Sequence, residues 1–96
     1  MEQVTITRVG GGAEGEYHAA VAGSDAVGRL TWRRRGDVVA AEHTLVPPEI
    51  GGRGVAGKRV EALIADARAE GWKIAPDCSY VAAAFRRHPE WADLLA

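Results

Sequence analysis

The sequence predicts an α/β (α+β) fold in ββββ-α-β-α order, with a mixed sheet, in one domain spanning residues 1–96. Three observations carry this. The first half alternates apolar and polar residues between short glycine-bearing turns. Pro47-Pro48 then end the alternation, and from Val55 the apolar residues recur at helical spacing.

Each element follows in order. In "VTITRV", Val4 and Ile6 fall on one side and Thr5 and Thr7 on the other. "GGGAEG" reads as a turn. It also spells G-x-G-x-x-G at Gly10, Gly12 and Gly15, but a dinucleotide fingerprint needs a helix next, and "EYHAAVA" alternates like a strand. That strand sets Tyr17, Ala19 and Val21 on one face. "GSD" is a hairpin connection, and "AVGRLTWRR" places Leu30 and Trp32 together. "RGD" turns the chain again, which leaves Arg33–Arg35 as a solvated hairpin end. "VVAAEHTLV" puts Val39, Ala41, His43 and Leu45 on one face and Val38, Ala40, Glu42, Thr44 and Val46 on the other. Four strands joined by short turns make an antiparallel meander.

Over 55–70, Ala56, Val60, Leu63, Ile64 and Ala67 form an apolar stripe, with Arg59, Glu61, Asp66, Arg68 and Glu70 off it. Gly71 supplies a stop. "WKIA" is a short strand. The helix before it is a crossover, so this strand lies parallel to a neighbour. "SYVAAAFRRH" is a second helix, with Asp77 or Ser79 near its start and Pro89 past its end, and "PEWADLLA" adds a closing turn or two. Trp32, Trp72 and Trp91 read as core or core-edge residues, and His18 and His88 as structural.

Bulk properties narrow the function. The chain is 47% apolar and 26% charged, with a net charge of −1. Acids and bases are interspersed, so nucleic acid and membrane surfaces are not predicted partners. The single cysteine excludes an internal disulfide framework and favours a reducing compartment. "MEQVTITRV" has neither a basic region nor an apolar core, so a cytoplasmic protein without a signal peptide is predicted. No His, Cys, Asp and Glu set has metal-ligand spacing, so no metal is predicted.

The informative stretch is "GGRGVAGKR", 51–59, between a strand and the strongest helix. Glycines there allow backbone N–H groups to face an anion, and a helix N-terminus adds partial positive charge. Gly52, Gly57 and Lys58 fit a nucleotide P-loop, but Arg59 stands where that loop needs a hydroxyl for magnesium. That loop also belongs to a larger parallel sheet. A second pattern, V-x-P-x-x-[RQ]-x-x-G-x-[GA], is met by Leu45 or Val46, Pro48, Gly54 and Ala56. Gly51 departs at the Arg/Gln position, and Arg53 offers a replacement charge.

This second pattern is the coenzyme A pyrophosphate loop of the GNAT acetyltransferases. With "EHT", "K-x-x-P-x-C-x-Y-V" and "RHPE-x-x-DLL" in the same order, residues 42–95 resemble the small stand-alone N-acetyltransferase-domain proteins of that superfamily. The strands before them match weakly. The resemblance implies a minimal GNAT fold, antiparallel except for strands four and five, which run parallel and splay to admit acetyl-CoA. It implies that Leu45, Val46, Gly51, Gly52, Arg53, Gly54, Val55 and Ala56 bind the CoA donor. The implied activity is acetyl transfer to an unidentified amine or protein-lysine acceptor by a monomer or weak dimer. His43 is the candidate base and Tyr80 the acid for the departing CoA thiolate. Cys78 is either a buried small residue or a nucleophile, made thiolate by the helix start and a neighbouring His43. The alternative is a CoA-binding or protein-interaction module without turnover, because the short chain has few elements to wall in an acceptor.

Overall fold

The computed structural model describes residues 4–47 and 55–96. Strands β1 (Val4–Gly11), β2 (Glu14–Val21), β3 (Val27–Arg35) and β4 (Val38–Leu45) form the antiparallel meander. Helix α1 (Val55–Glu70) crosses over to β5 (Lys73–Pro76), which runs parallel to β4. Helix α2 (Ser79–Arg87) and a 3-10 helix, Pro89–Leu94, follow. The sheet order is β1-β2-β3-β4-β5. This is the predicted mixed α+β fold.

Both helices cover one face. Tyr17, Leu30, Trp32, Val39, Ala41 and Ile74 from the strands share a core with Val60, Leu63, Ile64 and Ala67 of α1 and Val81, Ala84 and Phe85 of α2. The three tryptophans are all buried, as predicted: Trp32 lies 5.7 Å from Trp72, and Trp91 meets Phe85 edge-on at 5.7 Å. His88 caps α2 and stacks on Trp91 at 4.0 Å. Gly71 has φ +75°, and the Trp72 N–H reaches back to the Ala67 carbonyl at 2.9 Å, so α1 ends where glycine permits a left-handed turn.

Three local expectations are corrected. The first turn is shorter than "GGGAEG", because pairing continues through Gly10↔Gly15 and Gly11↔Glu14. Positive φ at Gly10 and Gly12 lets the strands run almost to the tip. Arg59 is not off the apolar stripe of α1; it is fully buried. It sits three residues after Ala56 and four before Leu63, so helical geometry places it on the stripe whatever its charge.

The third correction matters most. Thr31 pairs with His43 but Trp32 pairs with Ala41, so Glu42 is an extra residue in β4. One inserted residue reverses the facing of every residue after it. Thr44, opposite buried Leu30, therefore takes the core face. His43, opposite Thr31, is exposed and does not share a face with Val39 and Ala41.

One polar cluster ties the sheet to α1. Tyr17 is 1% exposed, and its hydroxyl donates to Asp66 at 2.5 Å. Burial and this bond hold the phenol far above its ordinary pKa. Arg8 pairs with Glu70 at 2.7 Å and lies 5.0 Å over the Trp72 ring. Asp66→Ala leaves the Tyr17 hydroxyl unpaired and is expected to cost about 1–2 kcal/mol in urea unfolding. Adding Tyr17→Phe to that variant should cost little more. A fully additive double mutant would show that the two groups are not coupled.

Candidate functional site

The β4–β5 pairing stops at Ala41↔Pro76, while β4 runs on to Leu45. The last link at the vertex is the Cys78 N–H, which donates to the Ala41 carbonyl at 2.9 Å. Beyond it the strands part, because the chain after Pro76 turns into α2. The edge of β4 from Glu42 to Leu45 therefore faces a gap rather than β5.

Cys78 is the N-cap of α2, with its carbonyl accepting from the Ala82 N–H at 2.9 Å. Its sulfur is half-buried and lies 3.5 Å from the Thr44 hydroxyl. Burial pushes the thiol up. The Thr44 hydroxyl and the N–H groups of Val81, Tyr80 and Thr44 outweigh it, and the net shift is below the ordinary thiol value. The sulfur makes no side-chain cap hydrogen bond to α2, so the backbone contribution is the field of nearby N–H dipoles. Thr44→Val keeps the shape and removes the hydroxyl. It should raise the pH midpoint of Cys78 alkylation by iodoacetamide, and an unchanged midpoint would exclude Thr44 as the stabilising group.

Tyr80 is half-buried in the first turn of α2, packs against the core and carries Arg87 6.0 Å over its ring. Arg59 reaches the same region from α1. Its Nη1 donates to the Leu45 carbonyl at 3.0 Å, while Nε and Nη2 are buried with no hydrogen-bond partner among the described residues. Burial pulls its pKa below the ordinary value, and nearby Tyr80 and Cys78 act in the opposite direction. Gly28 makes the room: a Cβ there would lie 3.2 Å from the Arg59 Cζ and 3.3 Å from the Leu45 carbonyl oxygen.

The predicted residues thus divide between two sides of β4. Cys78 and Tyr80 lie on the helix side with Thr44 and Arg59. His43 lies on the bare side, exposed, with no hydrogen bond to its ring among the described residues. The expected pairing of His43 with Cys78 does not form, because the extra residue at Glu42 turns His43 away. Leu45 is 59% exposed, and Val46 packs on the Ala19 and Val21 cluster. Val55 and Ala56 open α1. Gly51, Gly52, Arg53 and Gly54 lie outside the described residues.

The bare face holds a depression of about 470 Å³, with Thr31, Glu14, Glu16, Arg29, Arg33 and Glu42 among its lining residues. Its charges are largely paired: Arg29 lies 3.8 Å from Glu16, and Arg33 lies 3.5 Å from Glu42. Among the described residues, no three His, Cys, Asp or Glu side chains converge as a metal site, and no helix is long and apolar enough to cross a membrane.

Sequence reasoning missed Thr44 and Arg59. Helical spacing from Ala56 marks Arg59 as inward-facing, a signal that its charge overrode. Thr44 had no signal, since the bulge that aims it is not written in a two-residue alternation. A family model described as GCN5-related N-acetyl-transferase matches residues 16–94. No curated protein matches the chain.

Proposed function

The chain belongs to the GCN5-related N-acetyl-transferase family, and from that premise we propose that it binds acetyl-CoA in the β4–β5 gap and transfers the acetyl group to an amine in the cytoplasm. The observation that carries this is the parting of β4 and β5 beyond Ala41, with Cys78 and Tyr80 at its vertex. The free edge of β4 offers backbone groups to the amides of the pantetheine arm. The glycines of 51–54 and the start of α1 would receive the diphosphate.

The two sides of β4 then have separate tasks. The acceptor approaches from the bare face, where His43 takes a proton from an amine that is otherwise largely protonated, with a pKa of about 10.4 for lysine. Tyr80, on the helix side, gives a proton to the departing CoA thiolate. The separation keeps acid and base from neutralising each other.

Isothermal titration is expected to show binding of acetyl-CoA and CoA, with no competition from ATP and magnesium. Gly54→Val should abolish it with the fold retained, since a branched side chain blocks close backbone approach. Wild-type affinity in that variant removes the loop from the site. A second reading, a CoA-binding module without turnover, is favoured by the bare face, where no described helix walls in an acceptor. Mass spectrometry across an amine panel separates the two: tight CoA binding with no acetylated amine selects the module.

A further inference from the structure

Arg59 is the one buried charged side chain among the described residues. A guanidinium in a core needs a counter-charge or a full set of acceptors, because removing it from water is otherwise costly. Arg59 has neither. Its Nη1 is held by the Leu45 carbonyl at 3.0 Å, and Nε and Nη2 have no partner among the described residues. Among the described residues the ionisable groups acting on it are Tyr80 and Cys78, neither of which is a carboxylate. A leucine would fill the same position without this penalty.

The geometry of the vacant donors is specific. Nε and Nη2 form one edge of the planar guanidinium, and that edge matches two oxygens of a phosphate or carboxylate. The third nitrogen, fixed on Leu45, stops the group from rotating. The missing side chain of Gly28 leaves space for it. The group stands one turn inside α1, where the helix N-terminus adds positive potential. Its anchor, the Leu45 carbonyl, lies beside Gly28 of β3 at the end of β4, one residue from the Thr44 that touches Cys78.

We propose that the Nε/Nη2 edge of Arg59 receives a two-oxygen anion carried by the ligand of the β4–β5 gap. The inference rests on the acetyl-CoA reading for the location of that ligand. Two parts of an acyl-CoA can supply such an anion: its phosphates, or a carboxylate at the end of its acyl group. Nε and Nη2 are closed to solvent, so the incoming anion displaces the protein atoms that cover them.

Arg59→Leu and Arg59→Lys, made in the full chain, test this with CoA, pantetheine, inorganic pyrophosphate, acetyl-CoA and succinyl-CoA. Phosphate recognition predicts that Arg59→Leu loses at least about tenfold in CoA affinity, or about 1.4 kcal/mol, with pantetheine unaffected. It also predicts that pyrophosphate raises the wild-type melting temperature but not that of Arg59→Leu. Carboxylate recognition predicts unchanged CoA affinity and loss of a wild-type preference for succinyl-CoA over acetyl-CoA. Arg59→Lys keeps the charge without the fork and should fall between. Arg59→Leu removes a buried charge that no described carboxylate pairs and should melt no lower than wild type; should it fail to fold, Arg59→Lys carries the same comparisons. Wild-type behaviour of the variants toward all five probes overturns the inference. If wild type binds no CoA, the acetyl-CoA reading fails, and the pyrophosphate melting shift alone then decides the role of Arg59.

Discussion

Gly15→Ala is expected to remove a large part of the folding stability through one methyl group. A Cβ at Gly15 would lie 2.5 Å from the Trp32 Cζ2 and 2.8 Å from the Val9 carbonyl oxygen. Neither neighbour can retreat. Trp32 is 1% exposed and wedged against Trp72, and Val9 belongs to a strand paired with β2 on both sides of the contact. Overfilling a packed core costs about 1–3 kcal/mol, and a clash with backbone belongs at the upper end of that range. A small domain has a total stability of about 5–15 kcal/mol, so this one change would be visible as a large fall in the urea midpoint. Gly11→Ala is the control. Its Cβ would meet nothing within 4 Å and its φ is not positive, so its cost should stay within about 0.5 kcal/mol. Equal midpoints for the two variants would mean that Trp32 does not lie across Gly15.

The fold was legible because its signals are local. Alternation over Glu14–Val21 and the helical period over Val55–Glu70 each report one face against a core, and the structure places those faces there. The parallel pair also agrees with the element order, since parallel neighbours need a crossover and α1 supplies one between β4 and β5. The site was less legible. The glycine-rich stretch marked the candidate donor loop, yet the bulge that reorganises the gap has no local signature. The bulge at Glu42 depends on how β3 and β4 settle against each other, and alternation alone assigns His43 to the wrong face. Arg59 shows the opposite failure. Its spacing pointed inward, while its charge suggested solvent. Residue type is a poor guide to burial where a neighbouring glycine, here Gly28, leaves a space.

Cys78→Ala and His43→Ala are expected to differ in acetyl transfer, and the difference follows from the bulge. In direct transfer the amine attacks the thioester carbonyl, the carbon–sulfur bond breaks, and the CoA sulfur takes a proton, which the proposed assignment draws from Tyr80. Only the amine needs a base, and His43 lies on the side from which it would arrive. In a covalent route the Cys78 thiolate attacks first, CoA leaves, and the amine then attacks the acetylated cysteine, giving ping-pong kinetics. A thiolate nucleophile is usually sustained by a histidine in contact with it, and here the extra residue at Glu42 turns His43 to the opposite side of β4. Cys78 has Thr44 and the start of α2 instead, which depress its pKa without offering a group to shuttle the proton. Direct transfer is therefore the expected route. Loss of a positioned base costs about a hundredfold or more in rate, so His43→Ala should fall by at least that factor with CoA affinity unchanged. Cys78→Ala should keep most of its turnover and give up a little stability through lost packing. The reverse pattern, a dead Cys78→Ala together with a kinetically competent acetyl adduct on the wild-type thiol, would sink direct transfer and make Thr44 the residue that arms the nucleophile.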